Sequence, residues 1–416
     1  MSLKLNSIPR EVFDANGTFD SKIRVNGKDI SRKSIVASGR LVVCEYIGSL
    51  LNARKMNLEK YNSRLSDMGI DYATYSKAHS DKKFLFCAAQ AYKAVGKDAP
   101  ATVAEAKRDV GLATDPVFLR TMAAIDRDII DPVFFRVFDD VSATGLMHWS
   151  ECPLGGTVEI DVQSNDVFLF EDSAFGSGRS TTKNYLHGKT ITMTPKMYSC
   201  NATIKWYQDI VNGEAGRYYA AIMNGMWNKI YARFISALTK AASGNTYIPE
   251  ALQANTYTTQ NWLTITNKVA AVNGVRREDL IAYGLATALS AVVPVDGNGG
   301  AIMGMQYGLG EQWFMNGYLP RAGAVSLVEV MPAIVPGTQN TTVTEIPFGN
   351  NIYIAAKGGR APIHGCYAEG NPITLTMSPS ETADFTIDLN VSAMFDVVSV
   401  FGDKIGLISS VYPPAA

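Results

Sequence analysis

"FLFEDSAFGSGRSTTKNYLHGKTITM" runs from Phe168 to Met193. Its two ends have the texture of strands, and its middle is polar and Gly-rich. It contains Gly188-Lys189-Thr190, the tail of a phosphate-binding loop. The stretch is therefore either a phosphate site or an arm that reaches another molecule. A P-loop needs a Gly five residues before Gly188, so that backbone N–H groups can wrap the phosphates, and here that position is Lys183. It must also lead into a helix, whose N-terminus adds positive potential. The next residues are instead Thr190-Ile191-Thr192-Met193-Thr194, apolar at every second position, the period of a strand. The pairs Gly297/Gly299 and Gly308/Gly310 lack the third Gly of a dinucleotide turn and read as turns.

Upstream, Val158, Ile160 and Val162 alternate with Glu159, Asp161 and Gln163, a strand with one dry and one wet face. Downstream, Ile191 and Met193 share one parity. Beyond Pro195 the apolar set moves to the other: Tyr198, Cys200, Ala202, Ile204, Trp206. A one-residue shift reverses every side chain, so Pro195 marks a bulge or bend. The whole reads as a very long two-stranded hairpin. An isolated hairpin is marginally stable in water, so its tip needs something to lie on. Glu171, Asp172, Arg179, Lys183, His187 and Lys189 are the candidate intersubunit residues of this loop, with Gly176 and Gly178 letting it bend.

The strongest helical signal comes next. Tyr219, Ile222, Met223, Met226, Ile230, Phe234, Ala237, Leu238 and Ala241 form one stripe. Arg217, Lys229, Arg233 and Lys240 fall off it, and Gly244 closes it. Ile222, Met226, Ile230 and Phe234 are the candidate core face. Further helices are expected over 261–272 and 277–292, the second with Glu278-Asp279 at its front. In the N-terminal part, 18–30 is strand-like, Val43 to Leu65 carries one amphipathic face, and Phe84 to Val95 fits a helix ended by Gly96. Asp115-Pro116-Val117-Phe118-Leu119-Arg120 recurs as Asp131-Pro132-Val133-Phe134-Phe135-Arg136, and each Asp-Pro suits a helix start. Asp126, Asp128 and Asp131 read as a solvated helix face rather than metal ligands. Short strands fit 324–330 and 352–355. Ile373/Leu375/Met377 and Phe385/Ile387/Leu389/Val391 alternate with polar residues.

The 416 residues, 47% of them hydrophobic, are enough for two or three domains with real cores. Only 19% are charged, below the roughly 25% usual in soluble domains, as expected of a surface largely covered by neighbours. A net charge of −1 lacks the basic excess of a dedicated nucleic-acid binder. No early stretch resembles a signal peptide, and no run of about 18 apolar residues would span a membrane. Cys44, Cys87, Cys152, Cys200 and Cys366 form no CxxC pair and read as free, mostly buried thiols of a reducing cytoplasm. His148 and Cys152, four apart, would share a metal only on a helix and without a second pair. His364-Gly365-Cys366 and Glu171-Asp172 are equally poor as nucleophile pair and paired carboxylates. No catalytic, cofactor or metal residue is assigned, and the chain reads as non-enzymatic.

The element order is the most informative feature. An N-terminal segment is followed by a strand, a long polar hairpin, a long amphipathic helix, a mixed α/β region and closing strands. This order resembles the major capsid proteins of tailed bacteriophages, the Hong Kong 97 type fold, which encapsulins share. The resemblance covers roughly 116–416 and implies an α+β fold. Residues 1–115 would be an N-terminal helical arm or segment. Residues 116–248 would be the peripheral domain, with the extended loop at about 156–208 and the spine helix at 213–244. Residues 249–384 would be the axial domain, and 385–416 the return to the peripheral domain. Gly317-Tyr318-Leu319-Pro320 with 325–332, and Ala383 to Asp388, look like the family's axial turn and its return segment.

The resemblance implies self-assembly through hexamers and pentamers into an icosahedral shell around double-stranded DNA, bound without sequence specificity. It also implies portal and scaffold or decoration proteins as partners, no cofactor, no membrane, and a virion assembled in the host bacterial cytoplasm. The alternatives are an encapsulin-like shell and, in a different class, a nucleotide-binding enzyme using Gly188-Lys189-Thr190.

Overall fold

The computed structural model describes residues 22–25, 28–53, 71–142, 147–153, 155–163, 188–206, 215–243, 248–293, 315–330, 335, 349–356, 361–370, 373–379, 385–400 and 402–409. Helices combine with several mostly antiparallel sheets in an α+β arrangement. Two units are formed: residues 1–139, 196–227 and 368–395, and residues 140–195, 228–367 and 396–416.

In the first unit, a two-stranded antiparallel ribbon, β1 (Lys22–Val25) and β2 (Lys28–Ser31), leads into helix α1 (Arg32–Ala53). Helix α2 (Tyr72–Ala94) starts where Asp71 caps the Thr74 N–H at 3.0 Å. It ends before Gly96, whose φ of 73° suits only a residue without Cβ strain. Residues 83–91 of α2 are all buried, so this part of the helix is enclosed on every side, while 73–78 and 93–94 are largely exposed. The short helix α3 (Val103–Arg108) is followed by α4 (Pro116–Ser142). Phe84, Phe118 and Trp206 pack edge-on or tilted, with centroids 5.3 to 5.9 Å apart. Helix α2 thus shares a core with α4 and Trp206.

The Asp-Pro expectation holds once. Asp115 accepts from the Val117 and Phe118 N–H groups and Pro116 opens α4. The second copy starts no helix, because α4 runs straight through Asp131-Pro132. Proline has no N–H for the Asp128 carbonyl four residues back. The Arg40 guanidinium supplies the missing donors, Nε at 3.2 Å and a terminal nitrogen at 3.0 Å. Asp126 is not solvated either. It is 4% exposed and paired with Lys83 and Tyr219.

Strand β6 (Lys196–Lys205) pairs antiparallel with β14 (Thr386–Ser399), which pairs antiparallel on its other edge with β13 (Ile373–Pro379). Ile387, Leu389, Val391, Ala393 and Phe395 are the buried parity of β14, as alternation predicts. Phe385 departs from it. It sits at φ 50° ahead of the strand and is 46% exposed.

In the second unit, a six-stranded mixed sheet has the order β7 (Gln253–Ala254), β15 (Gly406–Ile408), β11 (Ile352–Ala356), β8 (Leu280–Gly284), β10 (Val325–Glu329), β9 (Arg321–Ala322). Helix α6 (Thr259–Asn273) is capped by Thr258 and ended by Gly274 at φ 63°. It lies so close to β15 that a Cβ on Gly406 would come 2.6 Å from Val269 Cγ2. The helix expected over 277–292 is replaced by a 3₁₀ turn at 277–279, strand β8 and a short helix α7 (Ala286–Ser290). Leu280 to Gly284 are all buried between β10, parallel, and β11, antiparallel. A strand buried on both faces loses its alternation, and its apolar run then mimics a helix. Here too β3 (Met147–Cys152) lies beside β12 (Ile363–Ala368).

One buried histidine makes the first unit acid-sensitive. The Ser38 hydroxyl donates to the Ile35 carbonyl at 2.9 Å, so the contact of Ser38 Oγ with His79 Nδ1 at 2.8 Å has the ring N–H as donor. His79 Nε2 is then a bare, buried acceptor without a partner among the described residues. Burial, and then the nearby Lys83 and Lys82, push the imidazole down from its usual 6.5 to about 3. A depressed folded value means that the stability is present above pH 6.5 and is lost as pH falls toward 3. At pH 5 the loss from this group is about 2 kcal/mol. Amide hydrogen exchange in α2, corrected for intrinsic rate, should speed up about thirtyfold between pH 7 and 5 from this group. The increment should vanish in His79→Gln; an unchanged pH difference there would assign it elsewhere.

Candidate functional site

The loop and the long helix carry the candidate residues. The hairpin is β4 (Val158–Gln163) with β5 (Gly188–Met193), antiparallel in a register from Val158↔Met193 to Gln163↔Gly188. Its base is anchored: Val158 and Ile160 pack on a buried cluster of Cys152, Met193 and Cys366, with Val398 beside them. Glu159 and Asp161 face outward, and Thr190 Oγ1 donates to Asp161 Oδ1 across the ladder at 2.9 Å. Gly188-Lys189-Thr190 is thus paired strand, with its N–H groups in or beside a ladder rather than wrapped into an anion nest. Lys189 stands opposite Val162. Glu171, Asp172, Arg179, Lys183 and His187 lie outside the described residues.

The return limb is shorter than expected. β5 stops at Met193, and beyond Pro195 the chain changes partner, so that β6 pairs with β14 instead of β4. The parity shift at Pro195 was therefore the signal of a change of sheet. Of the apolar parity read on β6, Ile204 and Trp206 are buried, Tyr198 and Ala202 half-buried, and Cys200 exposed.

Helix α5 (Ala215–Ser243) has 29 residues, about 43 Å of rise. Met226, Ile230 and Phe234 are buried and Ile222 is half-buried. Trp227, Tyr231 and Ile235, which the single stripe missed, are buried too. Among the described side chains of α5, only Ala221, Gly225 and Lys240 are exposed. Arg233, expected to be off the core, donates to Asp396 at 2.7 Å, and that carboxylate also accepts the Val397 N–H. The two residues are 163 positions apart, so no local pattern could have revealed the pair.

The candidate chemical pairs do not assemble. His148 and Cys152 lie on strand β3, where four residues span about 13 Å, so they cannot share an ion. His148 instead meets the His364 ring edge-on at 5.6 Å. Cys366 and Cys152 sit in the apolar cluster, where burial pushes the Cys152 thiol up, away from a nucleophilic thiolate. Among the described residues no group of three or more His, Cys, Asp or Glu is placed to hold a metal, and no helix is long and apolar enough to cross a membrane. Gly365 is a packing residue: a Cβ there would lie 2.3 Å from two Trp149 ring carbons. Gly365→Ala should cost about 3 kcal/mol in unfolding free energy, because a rigid indole cannot yield as a flexible side chain would. A melting curve unchanged from wild type would contradict this packing.

No protein-family model matches the chain, and no curated protein matches it in sequence. Its structure is similar to a capsid structure of the cyanophage P-SCSP1u, at 10% identity and a TM-score of 0.42, covering 64% of this chain and 87% of that one. It is similar to the capsid of a native GTA particle, at 12% identity and a TM-score of 0.42, covering 65% and 90%. It is also similar to the SrpI encapsulin of Synechococcus elongatus PCC 7942, at 8% identity and a TM-score of 0.37, covering 66% and 90%.

Proposed function

We propose that the chain is the major capsid protein of a tailed bacteriophage, a shell subunit of the Hong Kong 97 type. The observation that carries this is the order of elements. A hairpin opens from an anchored base, the chain changes sheet at Pro195, a 29-residue helix follows, then a six-stranded mixed sheet and the long strand β14. A shell subunit needs self-complementary edges rather than catalysis. Modest contacts repeated around a closed shell become collectively strong, at about 25 cal/mol per Å2 of apolar area. A formal charge of −1 limits repulsion among many copies.

In this reading the chain is not an enzyme and binds no cofactor. Its partners are copies of itself in hexamers and pentamers, with portal and scaffold or decoration proteins. The shell encloses double-stranded DNA without reading its sequence, and it forms in the host bacterial cytoplasm to become part of the virion. Sedimentation of the purified protein should show discrete species far larger than a subunit. A 45.1 kDa monomer at every salt and protein concentration would overturn the proposal.

A further inference from the structure

The first unit holds an arrangement that a shell subunit does not require. Lys83 on α2 and Asp126 on α4 face each other in the core, with side chains 3% and 5% exposed and Nζ 2.9 Å from Oδ1. Tyr219, 2% exposed, completes the group. Lys83 Nζ donates to its hydroxyl oxygen at 2.7 Å, and that hydroxyl donates in turn to the same Asp126 Oδ1. Cys87 and Phe118, both fully buried, belong to the same core. A buried ion pair is costly to hold because both charges are stripped of most of their solvent.

We propose that Lys83 and Asp126 condense into an intramolecular amide once the first unit has folded. The Tyr219 hydroxyl donates to Oδ1, the oxygen on which negative charge would gather when the carbonyl carbon is attacked, and Lys83 Nζ lies beside the same carboxyl group. In the buried core one proton passes from the ammonium to Oδ2, leaving an amine beside a carboxylic acid. The Nζ lone pair attacks Cγ and forms the Nζ–Cγ bond, and the carbonyl pair moves onto Oδ1, held by the Tyr219 hydroxyl. A second proton passes from Nζ to Oδ2, the carbonyl re-forms, and the Cγ–Oδ2 bond breaks with loss of water. No oxidant, metal or co-reactant enters, and the net charge of the pair is zero before and after. Tyr219 is the catalytic residue, and the fold supplies the proximity that makes amide formation feasible without activation. The bond staples α2 to α4 across 43 residues of sequence.

The test is the mass of the full-length purified chain, unfolded before measurement. The expected mass is about 18 Da below that of the sequence, one water. Trypsin, which does not cut at an acylated lysine, should release a branched peptide joining the Lys83 and Asp126 segments. Asp126→Asn should lose about 17 Da instead, as ammonia leaves. Tyr219→Phe keeps the ring but removes the hydroxyl, and should form the bond about a hundredfold more slowly. A wild-type chain at its full sequence mass, with normal tryptic cleavage after Lys83, would overturn the proposal and leave the two groups an ion pair.

Discussion

Ile230→Asp is expected to abolish soluble, folded protein. Ile230 is fully buried in the middle of α5, and ten other described residues of that helix are buried with it. The substitution removes about 2 to 3 kcal/mol of apolar burial and places an unpaired carboxylate in the core. The carboxylate must be protonated or drag water inward, so the total cost is about 5 kcal/mol or more, comparable with the whole stability of a typical domain. Ala221→Asp is the control. It adds the same charge to the same helix at an exposed position, where propensity alone costs about 0.7 kcal/mol. Circular dichroism and soluble yield should separate the two sharply. Equal behaviour would mean that the core face of the helix is misassigned.

The second large effect is on assembly rather than on folding. Gln163 and Gly188 are a register pair, so residues 164–187 can be replaced by Asn-Gly, the two residues that a tight hairpin turn favours. The ladder from Val158↔Met193 to Gln163↔Gly188 and the cluster of Cys152, Met193 and Cys366 remain intact. The shortened subunit should therefore melt within a few degrees of wild type. It should also fail to form stable particles, because the loop residues Glu171, Asp172, Arg179, Lys183 and His187 are gone. Arg179 and Lys183 carry the positive charge that an acidic neighbour surface would steer and hold. Particles as robust as wild type would make the loop dispensable. Collapse of the subunit would place the loop in the core.

Much of the architecture was legible because periodicity reports burial. The stripe of α5 located that helix, and the alternation in 373–377 and 387–391 located β13 and β14. The failures have physical causes. Strand β8 is buried on both faces, so its pattern was that of a helix. Asp126 was read as solvated because its partners, Lys83 and Tyr219, are 43 and 93 residues away. Pro132 looked like a helix start because Arg40, which replaces its missing donor, lies on another helix. Pro195 was read as a bend in one hairpin, since parity records a change of face but not a change of partner strand. Of the site, the base of the hairpin and the buried face of α5 were legible as patterns, while Glu171, Asp172, Arg179, Lys183 and His187 lie outside the described residues. Its energetic details, such as Arg233 with Asp396, depend on distant segments meeting.

The most direct test of the shell reading is negative-stain electron microscopy of the purified chain. It should show closed particles of uniform diameter, or ring-shaped hexamers and pentamers on the way to them. Fields of single 45.1 kDa subunits, unchanged on concentration or addition of salt, would contradict it.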